Sequence, residues 1–106
     1  TSRGPGSIEI RVERSDIVMA HHDAFYNCCA QMVVYYEDLS PILKLTEVEE
    51  YPDHTPCRCL CSYELGARVS GLPPGQYRVQ VWDGPAQKQL IEVAVSVPAA
   101  LAGGMP

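Results

Sequence analysis

Every extended stretch of this chain alternates apolar and polar residues, and that period of two most restricts what it can fold into. SIEIRVER places Ile8, Ile10 and Val12 on one side and Glu9, Arg11 and Glu13 on the other. QYRVQVWDG sets Tyr77, Val79 and Val81 against Arg78, Gln80 and Trp82, while KQLIEVAVSV aligns Ile91, Val93, Val95 and Val97. Successive side chains of a strand point to opposite faces, so each run offers one face to a core. No segment sustains the i, i+3, i+4, i+7 apolar spacing of a capped helix. Turn-forming stretches separate the runs: EDLSP, EEYPDHTP, GLPPG and DGPAQ. The pattern predicts strands near residues 8–14, 17–21, 28–36, 42–50, 57–70, 76–83 and 88–97. The fold class is therefore all-β, an antiparallel sandwich of about seven strands.

A chain of 106 residues suits one domain, here residues 8–98. Residues 1–7, TSRGPGS, read as a disordered N-terminal segment, a processed end or a cloning remnant, and residues 99–106 as a flexible tail. With 46% apolar residues the chain can build a core without help from its cysteines. The net charge is −5, and no basic stripe interrupts it. That balance argues against nucleic acid and against anionic membrane surfaces as partners. No apolar run approaches the roughly 18 residues that a membrane-spanning helix needs.

The segment GLPPGQYRVQVWDG, with Gly71, Leu72, Pro74, Gly75, Tyr77, Val79 and Val81, resembles the G-L-x-P-G-x-Y-x-V-x-V signature of immunoglobulin-like and fibronectin-III-like sandwiches. The resemblance implies that the tyrosine and valines enter the core near the end of the domain. With YNCC and CRCLC added, the chain resembles small bacterial secreted or lipoprotein-type β-sandwich domains of uncharacterised function. That likeness speaks to architecture and carries no activity. The only tryptophan, Trp82, follows all five cysteines, unlike the immunoglobulin order of cysteine, tryptophan, cysteine.

The cysteines are the chemical feature. Cys57, Cys59 and Cys61 alternate, and Cys28 and Cys29 are adjacent. If residues 57–70 form one strand, the three share a face with Tyr63, Leu65, Ala67 and Val69 and point inward. The strand from Cys28 turns Cys28 inward with Met32 and leaves Cys29 at the edge. The expectation is four inward thiols at one sandwich end. His21 and His22 precede one group, within HHDAFYN, a loop or strand end, and His54 precedes the other, within the loop YPDHTP.

Three readings follow. The first is a metal site for zinc or copper(I), with thiolates from Cys28, Cys57, Cys59 and Cys61 and with Cys29, His22 and His54 as substitutes or outer partners. The second is an extracytoplasmic adhesion or interaction module in which Cys28 and Cys29 bridge to two of Cys57, Cys59 and Cys61, leaving one thiol. Bridges within C-x-C are disfavoured along a strand, where alternate Cα atoms lie at or beyond disulfide reach. The third is plain packing of reduced cysteine. The metal reading stands first by a narrow margin.

Catalysis is not expected: G-x-S-x-G, H-E-x-x-H and the P-loop are absent from the sequence. Cys29 with His21 or His22 is the only nucleophile–base pairing to consider. The acidic residues Glu47, Glu49, Glu50 and Asp53 read as a solvated strand edge and loop. Tyr35, Tyr36, Tyr51 and Trp82 read as covers of the core edge or as a carbohydrate- or protein-binding surface.

Overall fold

The alternating runs become seven strands in the computed structural model, which describes residues 6–53 and 55–99. They are β1 (Ser7–Glu13), β2 (Asp16–Asn27), β3 (Gln31–Leu39), β4 (Ile42–Glu50), β5 (Leu60–Val69), β6 (Gly75–Asp83) and β7 (Lys88–Val97). No helix occurs among the described residues. The terminal segments expected at 1–7 and 99–106, and His54, lie almost wholly outside them.

The strands divide into a three-stranded sheet, β1-β2-β5, and a four-stranded sheet, β3-β4-β6-β7. All pairs are antiparallel except β4–β6, which runs parallel from Ile42↔Arg78 to Glu47↔Asp83. Parallel neighbours need a long crossover. Here the chain provides it by leaving β4, running through β5 in the opposite sheet, and returning as β6.

The core lies between the sheets and is filled by the inward residues of each alternation. Ile17 and Met19 of β2, Leu43 and Leu45 of β4, Val79 and Val81 of β6, and Val97 of β7 are almost fully buried. The expectation for GLPPGQY holds at the level of packing: Leu72, Tyr77, Val79 and Val81 are all buried. The Tyr77 hydroxyl donates to the Pro73 carbonyl at 2.6 Å, and the Leu72 N–H donates to the Ser15 carbonyl at 2.9 Å. A tyrosine that bonds back to the corner leading into its own strand fixes that crossing between sheets.

Three strands, β2, β3 and β5, have boundaries that differ from the sequence reading by several residues. Strand β2 does not stop at residue 21 but continues through HHDAFYN to Asn27. A register shift between His21 and Ala24, with Asp23 at φ 52°, explains why the alternation seems to end. The inward set is Ile17, Met19 and His21 before the bulge and Ala24 and Tyr26 after it. An extra residue in one strand flips the parity without ending the ladder. Strand β5 starts at Leu60, so Cys57 and Cys59 precede it, and Cys28 and Cys29 sit in the turn between β2 and β3 rather than in a strand.

Gly84 packs against the backbone of β4. Its N–H donates to the Glu47 carbonyl at 2.7 Å, and a Cβ there would lie 2.5 Å from that oxygen. Gly84→Ala is expected to destabilise the domain by about 1–3 kcal/mol in urea unfolding, the usual cost of overpacking against a neighbour that cannot yield. An unchanged midpoint would show that the β6–β7 turn can move away from β4.

Candidate functional site

The sulfur cluster forms where the chain crosses between sheets twice. The β2–β3 turn carries Cys28 and Cys29, and the β4–β5 crossover carries Cys57, Cys59 and Cys61. Asn27, the last residue of β2, organises the junction. Its Nδ2 donates to the Cys57 carbonyl at 2.5 Å, while its Oδ1 accepts the backbone N–H of Cys29 at 2.9 Å and of Cys57 at 3.1 Å. Its carbonyl accepts the Tyr63 hydroxyl at 2.7 Å and the Ala30 N–H at 3.1 Å. The Cys28 N–H donates to the Cys59 carbonyl at 3.1 Å, carrying the β2–β5 pairing one step past its last rung at Asn27↔Leu60.

Within this frame Cys28 bonds to Cys61, with Cα atoms 4.8 Å apart, and Cys29 bonds to Cys57, with Cα atoms 5.7 Å apart. Both separations fall in the ordinary disulfide range. Cys59 is left as an exposed thiol. It donates toward Cys57 Sγ at 3.8 Å, and its sulfur lies within 4.8 Å of those of Cys28 and Cys61.

The expectation of four inward thiols is corrected. Cys29, Cys59 and Cys61 are exposed, and Cys28 and Cys57 are half-buried. The parity of β5 is as expected, with Tyr63, Leu65, Ala67 and Val69 less exposed than Ser62, Glu64, Gly66 and Arg68. Parity implies burial only while a second sheet lies opposite. The last fully buried layer at this end is Ala24, Tyr26 and Glu47, Asn27 closes it, and the cysteines come after. With two bridges formed, the set Cys28, Cys57, Cys59 and Cys61 does not offer four thiolates to a metal.

His21 and His22 go elsewhere. His22 sits on the solvent face of the three-stranded sheet between two carboxylates, Nδ1 at 2.7 Å from Glu64 and Nε2 at 3.0 Å from Glu9. The Glu64 carboxylate, and then that of Glu9, raises the His22 pKa above its ordinary value, because an imidazolium donates from both nitrogens. Glu64 also accepts the N–H of the bulge residue Asp23 at 2.8 Å. That bond first, and His22 second, lowers its pKa. Neither His21 nor His22 is paired with Cys29, whose sulfur is in a bridge.

His21 and Glu47 are the residues the sequence reading misplaced. Expected in a loop or strand end and at a solvated edge, both are buried between the sheets. His21 Nδ1 lies 2.6 Å from one Glu47 oxygen, and the Tyr26 hydroxyl donates to the other at 2.6 Å. Burial, then the bond to Glu47, pushes the Tyr26 pKa far upward, so the phenol stays protonated as a donor. Glu49, one inward step further along β4, accepts the Asn27 N–H at 2.7 Å and the Tyr51 hydroxyl at 2.9 Å. Two carboxylates of β4 thus reach across to β2 directly below the sulfur cluster. The signal was in the alternation: Leu43, Leu45, Glu47 and Glu49 share one parity.

Comparison with known proteins returned no family model, no curated relative and no solved structure that matches this chain. The class the fold and site define is an all-β sandwich stapled by two disulfides at its sheet-crossing corner. No helix among the described residues is long and apolar enough to cross a membrane.

The His22 brace sets a pH signature. The raised His22 pKa gives stability that is full below about pH 6.5 and is lost as pH rises through the folded value. The lowered Glu64 pKa gives stability that is full above about pH 4.5 and is lost as pH falls through its folded value. The stability gap between the native chain and His22→Gln should therefore be widest between these limits and shrink at about pH 8 in thermal melts. A gap that stays constant, or grows, toward alkaline pH would contradict the brace.

The bridges are nested, closing sequence separations of 33 and 28 residues. Once one is formed, the other joins ends already held a few residues apart, so either remaining bridge does most of the other's work on the unfolded chain. In a Cys59→Ser background, replacing one pair by serine should cost roughly 2 kcal/mol, and replacing both roughly 5–6 kcal/mol. The double loss exceeds the sum of the single losses. Simple additivity in urea unfolding would refute the nested account.

Proposed function

We propose that this chain is an extracytoplasmic interaction module, non-enzymatic, whose cysteines staple a corner of the fold and whose sheet surface meets the partner. The observation that carries the reading is the pairing of four of the five cysteines in two bridges that join two of the three sheet-crossing connections, β2–β3 and β4–β5. Disulfides persist in oxidising compartments and are rare where glutathione and thioredoxin keep thiols reduced.

The surface best suited to contact is the outer face of the four-stranded sheet. Tyr35, Thr46 and Trp82 stand in register across β3, β4 and β6. Leu39 pairs with Ile42 two rungs away from the Glu37–Lys44 pair. Tyr35 and Leu39 are among the most exposed large apolar side chains. Lys44 lies 4.6 Å from the centre of the Trp82 ring, beside a shallow cavity of about 310 Å³. Aromatic residues with a polar surround are the usual makings of a protein-binding patch.

One observation favours a second reading, metal binding after reduction. The sulfurs of Cys28, Cys59 and Cys61 lie within 4.8 Å of one another, and opening the Cys28–Cys61 bridge would turn them into three soft ligands for zinc or copper(I).

Intact mass and thiol titration of protein purified without reductant or chelator separate the two. The staple reading expects a mass lower by two hydrogens for each bridge, one titratable thiol and no stoichiometric metal. Reduced mass together with stoichiometric zinc or copper would overturn it in favour of the metal site.

A further inference from the structure

The fifth cysteine is surplus to the staples, yet it is set among them. Cys59 does not stand alone on the surface. Its sulfur is 3.8 Å from Cys57 Sγ, about the contact distance of two sulfur atoms, and within 4.8 Å of both sulfurs of the other bridge. Cys29, the far end of the Cys29–Cys57 bridge, is exposed as well. We propose that these residues form a thiol–disulfide exchange site, in which the free thiol migrates between Cys59 and Cys29. The proposal rests on the two-bridge pairing and goes beyond it, since it makes one staple chemically active.

The step balances without an external oxidant or reductant. Cys59 loses its proton to solvent, and its thiolate attacks Cys57 Sγ. The Cys57–Cys59 bond forms, the Cys29–Cys57 bond breaks, and its electron pair leaves on Cys29, which takes up a proton. One disulfide and one thiol remain, so the exchange is redox-neutral.

Three observations direct the attack to Cys57 rather than to the second bridge. Cys57 Sγ is the sulfur in contact. Cys57 and Cys59 precede β5, so they are free of the extended geometry that holds alternate residues beyond disulfide reach. Cys61 is inside β5 and paired with Tyr26, so forming Cys59–Cys61 would distort a ladder. Loss of the Cys29–Cys57 bond is also tolerable, because the Cys28–Cys61 bridge still closes nearly the same loop. Meanwhile Asn27 keeps its bonds to the backbone of Cys29 and Cys57, so the released sulfur stays close enough for the reverse reaction.

The consequence is an exposed thiol that can be presented at either of two positions and can take up a small aliphatic disulfide as a mixed disulfide. In that second step the thiolate attacks one sulfur of the small disulfide and expels the other half as a thiol, again without net oxidation.

The test uses the full chain. Peptide mapping of acid-held protein first establishes the starting pairs. Samples held at about pH 4 or about pH 8 are then pulse-labelled with an alkylating maleimide, and tandem mass spectrometry locates the label. The expected result is label on Cys59 alone after the acid hold, and label shared between Cys59 and Cys29 after the alkaline hold, together with a Cys57–Cys59 linked species. The transfer should develop over minutes to hours and quicken with pH, because the thiolate is the attacking form. Cys59→Ser should fix the Cys29–Cys57 bridge, give no label and take up no cystamine. Label confined to Cys59 under all conditions, label on Cys28 or Cys61 instead of Cys29, or cystamine uptake by Cys59→Ser would overturn the proposal. A starting map without the two bridges would overturn the pairing itself, a separate failure visible before any exchange is measured.

Discussion

No backbone ladder among the described residues joins a strand of one sheet to a strand of the other. Apart from the chain crossings, the two layers are therefore held face to face through side chains, and the features of the sulfur end follow from that constraint. Over most of the interface the side chains are apolar, from Ile17 and Met19 across to Leu43, Leu45, Val79 and Val81. Toward the cysteine end the apolar filling gives way to polar and then covalent contacts. Glu47 receives Tyr26 and faces His21, Glu49 receives the Asn27 backbone, and beyond them two disulfides join the crossing segments. Directional bonds take over where there is too little apolar surface to bury.

A buried carboxyl group is an expensive way to join two layers, since removing its partners leaves buried polar atoms unsatisfied at a cost of about 1–3 kcal/mol. Here every buried polar side-chain atom among the described residues has a partner. The cluster contributes specificity of register. Glu47 meets His21 and Tyr26 together only if the bulge at His21–Ala24 is in place, because His21 is inward by the parity of Ile17 and Met19 while the bulge is what turns Tyr26 inward as well. On the opposite face the same bulge presents Asp23 to Glu64, and Glu64 to His22. One inserted residue thus coordinates the buried network on one side of the sheet and the exposed brace on the other.

The sulfur chemistry depends on the same geometry. Asn27 ends β2 and fixes the backbones of Cys29 and Cys57, which places two pairs of sulfurs in bonding range and a fifth in contact. The fifth thiol makes the corner more than a staple: a disulfide with a resident thiol against it has an alternative pairing within reach. A domain that is stapled twice through nearly the same loop can give up one staple without opening its core.

The alternation alone determined the all-β class, most strand positions, the apolar faces of β1, β6 and β7, and the shared face of Tyr77, Val79 and Val81, because period-two patterning is a local property of each strand. The same alternation placed Glu47 inward, but its acidic neighbours suggested a solvated edge, and only the opposite sheet supplies the His21 and Tyr26 that make its burial tolerable. The continuation of β2 was hidden by a bulge, whose parity change looks in sequence like the end of a strand. The parallel pairing of β4 with β6, the pairing of the cysteines and their exposure were decided by tertiary structure. Sequence fixes which way a side chain leaves its own strand. What lies opposite it, whether another sheet, a carboxylate or a second sulfur, depends on how distant segments are brought together.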